Sequence, residues 1–211
     1  HALLHGDAVT GVSIIEVRPH RFDEGEVLAR EEVRVAPDET IAELGPRLTD
    51  VGLRLLLGVL SDLEGVRATK RVPQTELGGE ASHAPKLPRS ARFLRFADDD
   101  AFHPRNQLRA FGEVLFGVRV PSKPQLLEVA VLELAAAGEN GGEDALLTKP
   151  GDACLTRDGT ALAIRVSPRV VVRATKLRPA GGRAGTAREF VNGYIRSKPG
   201  VVVSGAICAL S

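Results

Sequence analysis

Residues 5–28 read HGDAVTGVSIIEVRPHRFDEGEVL, and this stretch decides how the first part of the chain folds. Residues 11–18 are predicted to form a strand, because Val12, Ile14 and Ile15 make a short apolar body. Residues 27–35 are predicted to form a second strand, in which valines alternate with charged residues. The segment between them carries Pro, Gly and charged side chains, a composition typical of a loop. A polar loop held by two strands is a common place for functional groups, because the strands form a rigid frame.

A long helix is predicted after the second strand. Thr40 and Glu43 have the spacing of a capping box. Apolar residues then recur at helical spacing, namely Ile41, Leu44, Leu48, Val51, Leu55, Val59 and Leu63. Pro46 lies inside this pattern, so the helix either kinks there or begins near Pro46. Gly65 is predicted to end it.

The rest of the chain predicts a linker and a β domain. Residues 66–98 are broken repeatedly by Pro and Gly, as in a segment that crosses between domains. A short helix is predicted at 104–112 and a last helix from Thr186. Five short apolar runs lie between them and predict a small β-barrel or sandwich, at 114–120, 126–134, 152–155, 160–166 and 169–177.

Composition limits the possible partners. The net charge is +1, so no global field attracts nucleic acid. Lys and Arg nevertheless concentrate in residues 67–95 and 165–198, which predicts a local contact with a polyanion; a solvated basic face is the alternative. No apolar run is long enough to cross a bilayer, and two distant cysteines with scattered histidines predict no metal site. Because the chain begins with His and contains no Met, we expect an internal piece or a processed product.

Three short motifs in the opening stretch occur in a familiar order. They are GD at residues 6–7, TGV at residues 10–12 and DEG at residues 23–25. Together they resemble the folate-dependent formyltransferase family. The variant RPHRFD at residues 18–23 looks like the mitochondrial branch of that family, and it implies a location in the mitochondrial matrix.

The second half of the chain narrows the resemblance. LRPAGGR at residues 177–183 and FVNGY at residues 190–194 are similar to the end of methionyl-tRNA formyltransferases, and APK at 84–86 and RAF at 109–111 also match family positions. The resemblance implies an α/β fold, a partial Rossmann-like formyltransferase domain, followed by an OB-like C-terminal β-barrel domain. The implied divisions are the catalytic domain at 1–79, a basic linker at 80–98, the tRNA-binding barrel at 99–198 and a tail at 199–211. The tail could be a frayed end, an extra strand or an alternative splice product.

The resemblance implies transfer of a formyl group from 10-formyltetrahydrofolate to the amino group of methionyl-tRNA, without a metal. In this family an Asn and a His stabilise the oxyanion that forms, and an Asp orients the His. Asp23 matches that Asp, although it could merely turn the loop. The Asn and the His are expected upstream of residue 1, so this chain alone is expected to be inactive. His1, His5 and His20 are expected to be surface or structural residues.

The resemblance also implies binding residues and partners. The folate-binding loop would contain Arg18, Pro19, Arg21 and Phe22. The tRNA-binding candidates are basic residues, for each of which an ordinary solvated side chain is the alternative: Lys70, Arg71, Lys86, Arg89, Arg173, Lys176 and Arg183, with Arg92, Arg95, Arg178 and Arg188 as further candidates. A monomer that acts on initiator methionyl-tRNA, and not on DNA or a membrane, is expected. Two other functions stay open, namely a related folate-dependent formyltransferase or hydrolase, and an inactive fragment that only binds tRNA.

Overall fold

The chain divides into two compact units in the computed structural model, His1–Lys86 and Leu87–Ser211. The structure describes residues 1–19, 23–78, 83–96, 103–120, 124–135, 142, 144–201, 203–204 and 207–208. No helix within these ranges is long and apolar enough to cross a membrane.

The first unit opens with a short helix and a β-hairpin. Helix α1 covers Ala2–His5, and the strands β1 (Val9–Ile15) and β2 (Val27–Arg34) pair antiparallel. Both predicted strands are confirmed, although β1 starts two residues and ends three residues before the predicted bounds. The register shifts between Ile14 and Ile15, just before the loop that connects the two strands.

Helix α2 covers Ile41–Ser61 and begins at the predicted cap. The carboxylate of Glu43 accepts hydrogen bonds from the backbone N–H and the hydroxyl of Thr40, each at 2.8 Å. The helix runs through Pro46, so the alternative that it begins near Pro46 is wrong. Starting the helix at Thr40 satisfies the first backbone donors, and a proline in the first two turns removes only one hydrogen bond.

The prediction that Gly65 ends this helix is also wrong. Asp62 leaves the helical conformation, with φ −148° and ψ 61°, and a second helix, α3, covers Leu63–Thr69. The carboxylate of Asp62 accepts a hydrogen bond from the backbone N–H of Gly65 at 3.1 Å. An aspartate that caps the next helix therefore breaks the apolar pattern three residues before the glycine.

The core of the first unit is small. Leu28, Val59 and Val66 are buried together, and Ile14 and Leu63 pack against them. After α3 the chain returns to the hairpin, where Val72 forms an isolated bridge with Val27. A 3₁₀ turn, Gln74–Glu76, follows directly.

The second unit is built on antiparallel strands. A 3₁₀ turn (Arg89–Arg92) and helix α4 (Pro104–Phe111) precede them. The strands are β3 (Val114–Val118), β4 (Leu127–Leu134), β5 (Ala153–Leu155), β6 (Leu162–Arg165), β7 (Val171–Pro179), β8 (Gly185–Thr186) and β9 (Ile207–Cys208). Helix α5 (Ala187–Phe190) continues into a π-helical turn, Val191–Ile195. Each of the five apolar runs predicted as strands overlaps one, and β7 extends two residues beyond its run.

These strands form one sheet that nearly closes on itself. The order is β5-β6-β7-β4-β3-β9, with β8 paired to β7. Strand β9 pairs with β3 at one end of the order, and Val203, four residues earlier, bridges to Ala153 in β5 at the other end. The described part of the predicted tail therefore includes an extra strand, and it joins the two edges of the sheet.

The inner face of this sheet carries the main core of the molecule. Phe116, Leu155, Ile164 and Leu177 are almost completely inaccessible, and Phe190 from α5 packs among them. Burying large apolar side chains of this kind is the dominant favourable term in folding. The second unit thus has the larger core, and the first unit holds the loop of interest.

Candidate functional site

The loop after β1 presents Asp23 to solvent. Asp23 is exposed and has φ 58°, in the left-handed region. Among the described residues only Asp23 and Arg196 combine a side chain with a positive φ. Aspartate tolerates this conformation better than most residues, because its short polar side chain bonds locally. The backbone at Asp23 is therefore held in an uncommon shape.

The base of the same loop is closed tightly. The backbone N–H of Glu16 donates to the carbonyl of Glu26 at 3.0 Å. Gly25 is buried against this closure, and a Cβ at that position would lie 1.6 Å from the carbonyl oxygen of Glu16. Only glycine fits there, so the lack of room for a Cβ explains the glycine of the DEG motif.

Two groups of opposite charges flank the loop. Glu26 pairs with Arg18 at 3.2 Å and with Arg71 at 3.0 Å. Glu16 pairs with Arg67 at 2.6 Å. The hydrogen bond from Arg67 lowers the pKa of the Glu16 carboxyl, and the positive charges of Arg71 and Arg18 act in the same direction. Glu16 therefore stays ionised beside the loop.

Gln74 contacts the Asp23 loop, although it lies near the C-terminal end of the first unit in sequence. Its side-chain Nε2 donates to the carbonyl oxygens of Asp23 and Gly25, at 2.7 Å each. Nearby, Val72 and Val27 exchange two backbone hydrogen bonds of 2.8 and 3.0 Å. No local pattern in the sequence marks Gln74, because its contacts join it to residues 51 and 49 positions away.

The predicted folate-binding residues are only partly visible. Arg18 lies beside Glu26, and Pro19 is exposed next to it. Arg21 and Phe22 lie outside the described residues, as does His20. Their role in binding folate stays a prediction.

The tRNA candidates of the first unit differ in their surroundings. Lys70 is exposed at the end of α3, and Lys86 is exposed at the end of the unit. Arg71 instead holds Glu26 beside the Asp23 loop. All three cations are therefore exposed, and Arg71 also supports the loop.

Most of the candidates in the second unit pair with carboxylates. Arg89 pairs with Glu128 at 2.6 Å, Lys176 with Glu133 at 2.9 Å, and Arg173 with Asp144. The Arg173 side chain is only 10% exposed. Among the further candidates, Arg92 and Arg178 share Glu113, Arg188 donates to the carbonyl of Asp158, and Arg95 is exposed. Arg183 is also exposed.

A cavity of about 370 Å³ lies beside some of these pairs. Glu113, Glu128 and Arg178 form its polar walls, and Leu115 and Ala130 are its apolar lining. The turn of the LRPAGGR motif, residues 179–182, lies along the same cavity. Within the described ranges, no group of three or more His, Cys, Asp or Glu residues is placed to hold a metal ion.

Comparison with known proteins places this geometry in context. Residues 1–60 match the family model described as formyl transferase. The mitochondrial methionyl-tRNA formyltransferase of Mus musculus is 30% identical over 204 residues, covering 93% of this chain and 50% of that protein. The methionyl-tRNA formyltransferase of Burkholderia mallei is 32% identical over 193 residues, covering 91% of this chain and 54% of that protein. The chain thus spans about half the length of the curated relatives it matches.

The solved structures give a likeness of fold. HypX from Aquifex aeolicus, in a complex with tetrahydrofolic acid, has a TM-score of 0.54 and 20% identity over 94% of this chain and 32% of that chain. An α/β fold of the formyltransferase kind in the first part and a sheet-rich second part agree with the sequence analysis. The predicted resemblance is thereby confirmed: residues 1–60 match the formyl transferase family, and nearly the whole chain is similar to methionyl-tRNA formyltransferases, the mitochondrial ones among them.

Proposed function

We propose that this chain is part of an enzyme that transfers a formyl group from 10-formyltetrahydrofolate to the amino group of methionyl-tRNA. The similarity to enzymes of that name extends through both compact units, and this observation carries the proposal. A likeness confined to residues 1–60 would fit any formyl transferase. The mitochondrial relatives support a location in the mitochondrial matrix.

Asp23 is the residue that we propose as catalytic. Amine attack on a formyl carbon creates an oxyanion that needs hydrogen-bond donors, and a protonated imidazole is such a donor. A carboxylate beside the imidazole orients it and stabilises its charge. The Asp23 carboxylate is exposed on a braced loop and is therefore available for that contact.

The same loop is proposed to hold the folate. Arg18, Pro19, Arg21 and Phe22 precede Asp23 directly, so a ring bound along them would bring its formyl group close to the carboxylate. Tetrahydrofolic acid in the complex with HypX supports a donor of this class. No metal is required for this chemistry, because protein donors can stabilise the oxyanion.

We propose a separate role for each segment of the chain. Residues 1–79 supply part of the catalytic domain, 80–98 a basic linker and 99–198 an OB-like barrel that binds initiator tRNA. The segment 199–211, predicted as a tail, adds strand β9 to the sheet of that barrel. The nearly closed antiparallel sheet of the second unit supports a barrel. The protein is proposed to act as a monomer.

The tRNA contacts are proposed mainly for Lys70, Lys86 and Arg183. These three are exposed, and none of them forms an ion pair among the residues that the structure describes. Cations already paired with carboxylates, such as Arg89 and Lys176, gain less from meeting a phosphate. Each phosphate contact that is lost should make the plot of log K for tRNA binding against log salt concentration less steep by about one.

The decisive test of the catalytic proposal is Asp23→Asn in the full-length protein that carries this chain. Asparagine keeps the shape and tolerates the left-handed backbone. We expect formyl transfer to fall about 100- to 10,000-fold, while tRNA binding is retained. Asp38→Asn, at an exposed turn of the same unit, is the control with an unchanged rate. An unchanged rate in Asp23→Asn would disprove the role.

Two alternatives are separated by simpler assays. A substrate screen of methionyl-tRNA against other amines and water tests for a related formyltransferase or hydrolase. A turnover assay on the 211-residue chain alone, beside salt-dependent tRNA binding, tests for an inactive fragment that only binds tRNA. Binding without turnover favours the fragment.

A further inference from the structure

We propose that Gln74 is a positioning residue, whose side-chain amide holds the backbone of residues 23–25 in the shape that presents the Asp23 carboxylate. This inference rests on the proposed function of Asp23. Gln74 touches only the loop backbone in the contacts described, so it acts through Asp23 and not on a substrate.

The geometry of the contact is specific. One nitrogen, Nε2, donates to two carbonyl oxygens, those of Asp23 and Gly25, at 2.7 Å each. A side-chain amide nitrogen has two N–H groups, so both donors are used at once. The two acceptors lie on either side of Glu24, and a single side chain therefore fixes the turn between them.

The loop needs an external brace for a physical reason. Asp23 has φ 58°, a conformation that disfavours residues with a Cβ. Two carbonyls that point to one side of a tight turn repel each other unless a donor lies between them. The Gln74 amide supplies that donor, so it offsets part of the cost of the turn.

Gln74 is itself held firmly. Val72, two residues earlier, exchanges two backbone hydrogen bonds with Val27 at the start of β2. Pro73 then restricts the chain, and Gln74 begins a 3₁₀ turn in which Leu77 donates to its carbonyl at 3.2 Å. Gln74 is therefore fixed to β2, the strand that follows the loop. The loop and the side chain that supports it are thus both attached to β2.

Arg71 reinforces this arrangement from the same segment. Its guanidinium pairs with Glu26 at 3.0 Å, immediately beyond Gly25. Residues 71–74 thus hold the loop at two places. Arg71 pairs with Glu26 at the end of the loop, and the Gln74 amide bonds to its turn. Arg71, which the sequence suggested as a nucleic-acid contact, thus also supports the loop of Asp23.

The test compares Gln74→Glu with Thr75→Ala. Glutamate has the same shape but places acceptors against two carbonyls, whereas Thr75 is exposed in the same 3₁₀ turn and serves as the control. In the full-length protein we expect Gln74→Glu to lower kcat about 10- to 100-fold with KM for methionyl-tRNA within about twofold. Thr75→Ala should keep both constants.

Two further readouts separate positioning from a general loss of structure. In an Asp23→Asn background, Gln74→Glu should change kcat by less than about twofold, because coupled residues are non-additive. In the 211-residue chain, hydrogen exchange of the Glu16 and Val27 amides should accelerate in Gln74→Glu and not in Thr75→Ala. The Glu16 amide closes the base of the loop on Glu26, and the Val27 amide bonds to Val72 in the segment that carries Gln74.

The outcomes are distinct. Full additivity with Asp23→Asn, a wild-type kcat in Gln74→Glu, or equal exchange in the two variants overturns the positioning role. Absence of formyl transfer in the unsubstituted full-length protein overturns the proposed function instead, and the exchange measurement then still decides whether Gln74 braces the loop.

Discussion

At the scale of single residues, two glycines show how the space around a backbone position limits which side chain it can carry. Gly25 lies in the Asp23 loop with a backbone oxygen 1.6 Å from where a Cβ would stand. Gly45 lies in α2, and nothing lies within 4 Å of its Cβ position. The same chemical change at the two sites must therefore have opposite consequences.

We predict that Gly25→Ala destabilises the first unit by about 1–3 kcal/mol, because the loop must move away from Glu16. Gly45→Ala should stabilise it by about 0.5–1 kcal/mol, since alanine is the better helix former. Urea denaturation of the two variants beside the parent chain measures both effects. Equal stability of the two variants would contradict the steric account of Gly25.

Asp152 illustrates a carboxylate with a structural role. It is buried and accepts hydrogen bonds from the backbone N–H groups of Thr148 and Lys149, at 3.0 and 2.9 Å. Burial by itself raises the pKa of Asp152, but the bonds from Lys149, Ser204 and Thr148 outweigh it and leave the pKa below its ordinary value. The ionised form therefore belongs to the folded state.

A pH dependence follows from that direction. Because the folded pKa is depressed, acid protonates Asp152 in the unfolded chain first and favours unfolding. The stability that ionised Asp152 contributes is complete above the ordinary aspartate pKa, about 3.9. It is lost as the pH falls through the pKa of Asp152 in the folded chain. We predict that Asp152→Asn costs about 1–3 kcal/mol at pH 6, and that the difference shrinks towards pH 3. Denaturant titrations at both pH values check this, and a constant difference would contradict it.

At the scale of elements, capping decides where helices begin. Thr40 donates through its N–H and its hydroxyl to Glu43 at the start of α2, and the pKa of Glu43 is lowered by these bonds. Thr49 lies inside the same helix, and its hydroxyl donates to the carbonyl of Gly45 at 2.9 Å. At the helix start, the Glu43 carboxylate satisfies the backbone N–H of Thr40. The Thr49 hydroxyl only adds a donor to a carbonyl inside the helix.

We predict that Thr40→Ala lowers the stability of the first unit by about 1 kcal/mol, as at other N-caps. Thr49→Ala should leave it unchanged or raise it slightly, because alanine has the higher helix propensity. Circular dichroism during thermal unfolding compares the pair. Loss of stability in both variants to the same extent would argue against a capping role for Thr40.

At the scale of the whole molecule, the last residues close the second unit. Ile207 is 3% exposed within the main core, and its strand pairs with β3. Val203 bridges to β5 at the opposite end of the strand order. These contacts cover part of β3 and part of β5, and a covered strand edge is less available for pairing with other chains.

We predict that Ile207→Ala destabilises the second unit by about 2–5 kcal/mol, as for other buried isoleucines. Val201, which is 50% exposed, is the matched position, and Val201→Ala should stay within about 0.5 kcal/mol of the parent. Denaturant unfolding of the 211-residue chain measures both. A neutral effect of Ile207→Ala would mean that the sheet does not depend on β9.

Local patterns were sufficient for most of the larger elements, but not for the break between α2 and α3 at Asp62. Alternating valines predicted β2, the Thr40–Glu43 spacing predicted the start of α2, and five apolar runs predicted β3 to β7, because hydrophobic period and capping act over a few residues. The motifs around Asp23 and the LRPAGGR turn pointed to the resemblance that the comparisons confirm.

Contacts over long distances in sequence were decided only by the tertiary structure. No local pattern indicates that Gln74 donates to Asp23, that Arg71 pairs with Glu26, or that Val203 and β9 join the edges of the sheet. Folding brings such groups together because burying the core of each unit fixes the frame, and polar side chains then bond to whatever lies within reach. The sequence by itself thus determined most of the larger elements and the resemblance to formyltransferases, whereas the tertiary structure decided how the loop of Asp23 is held.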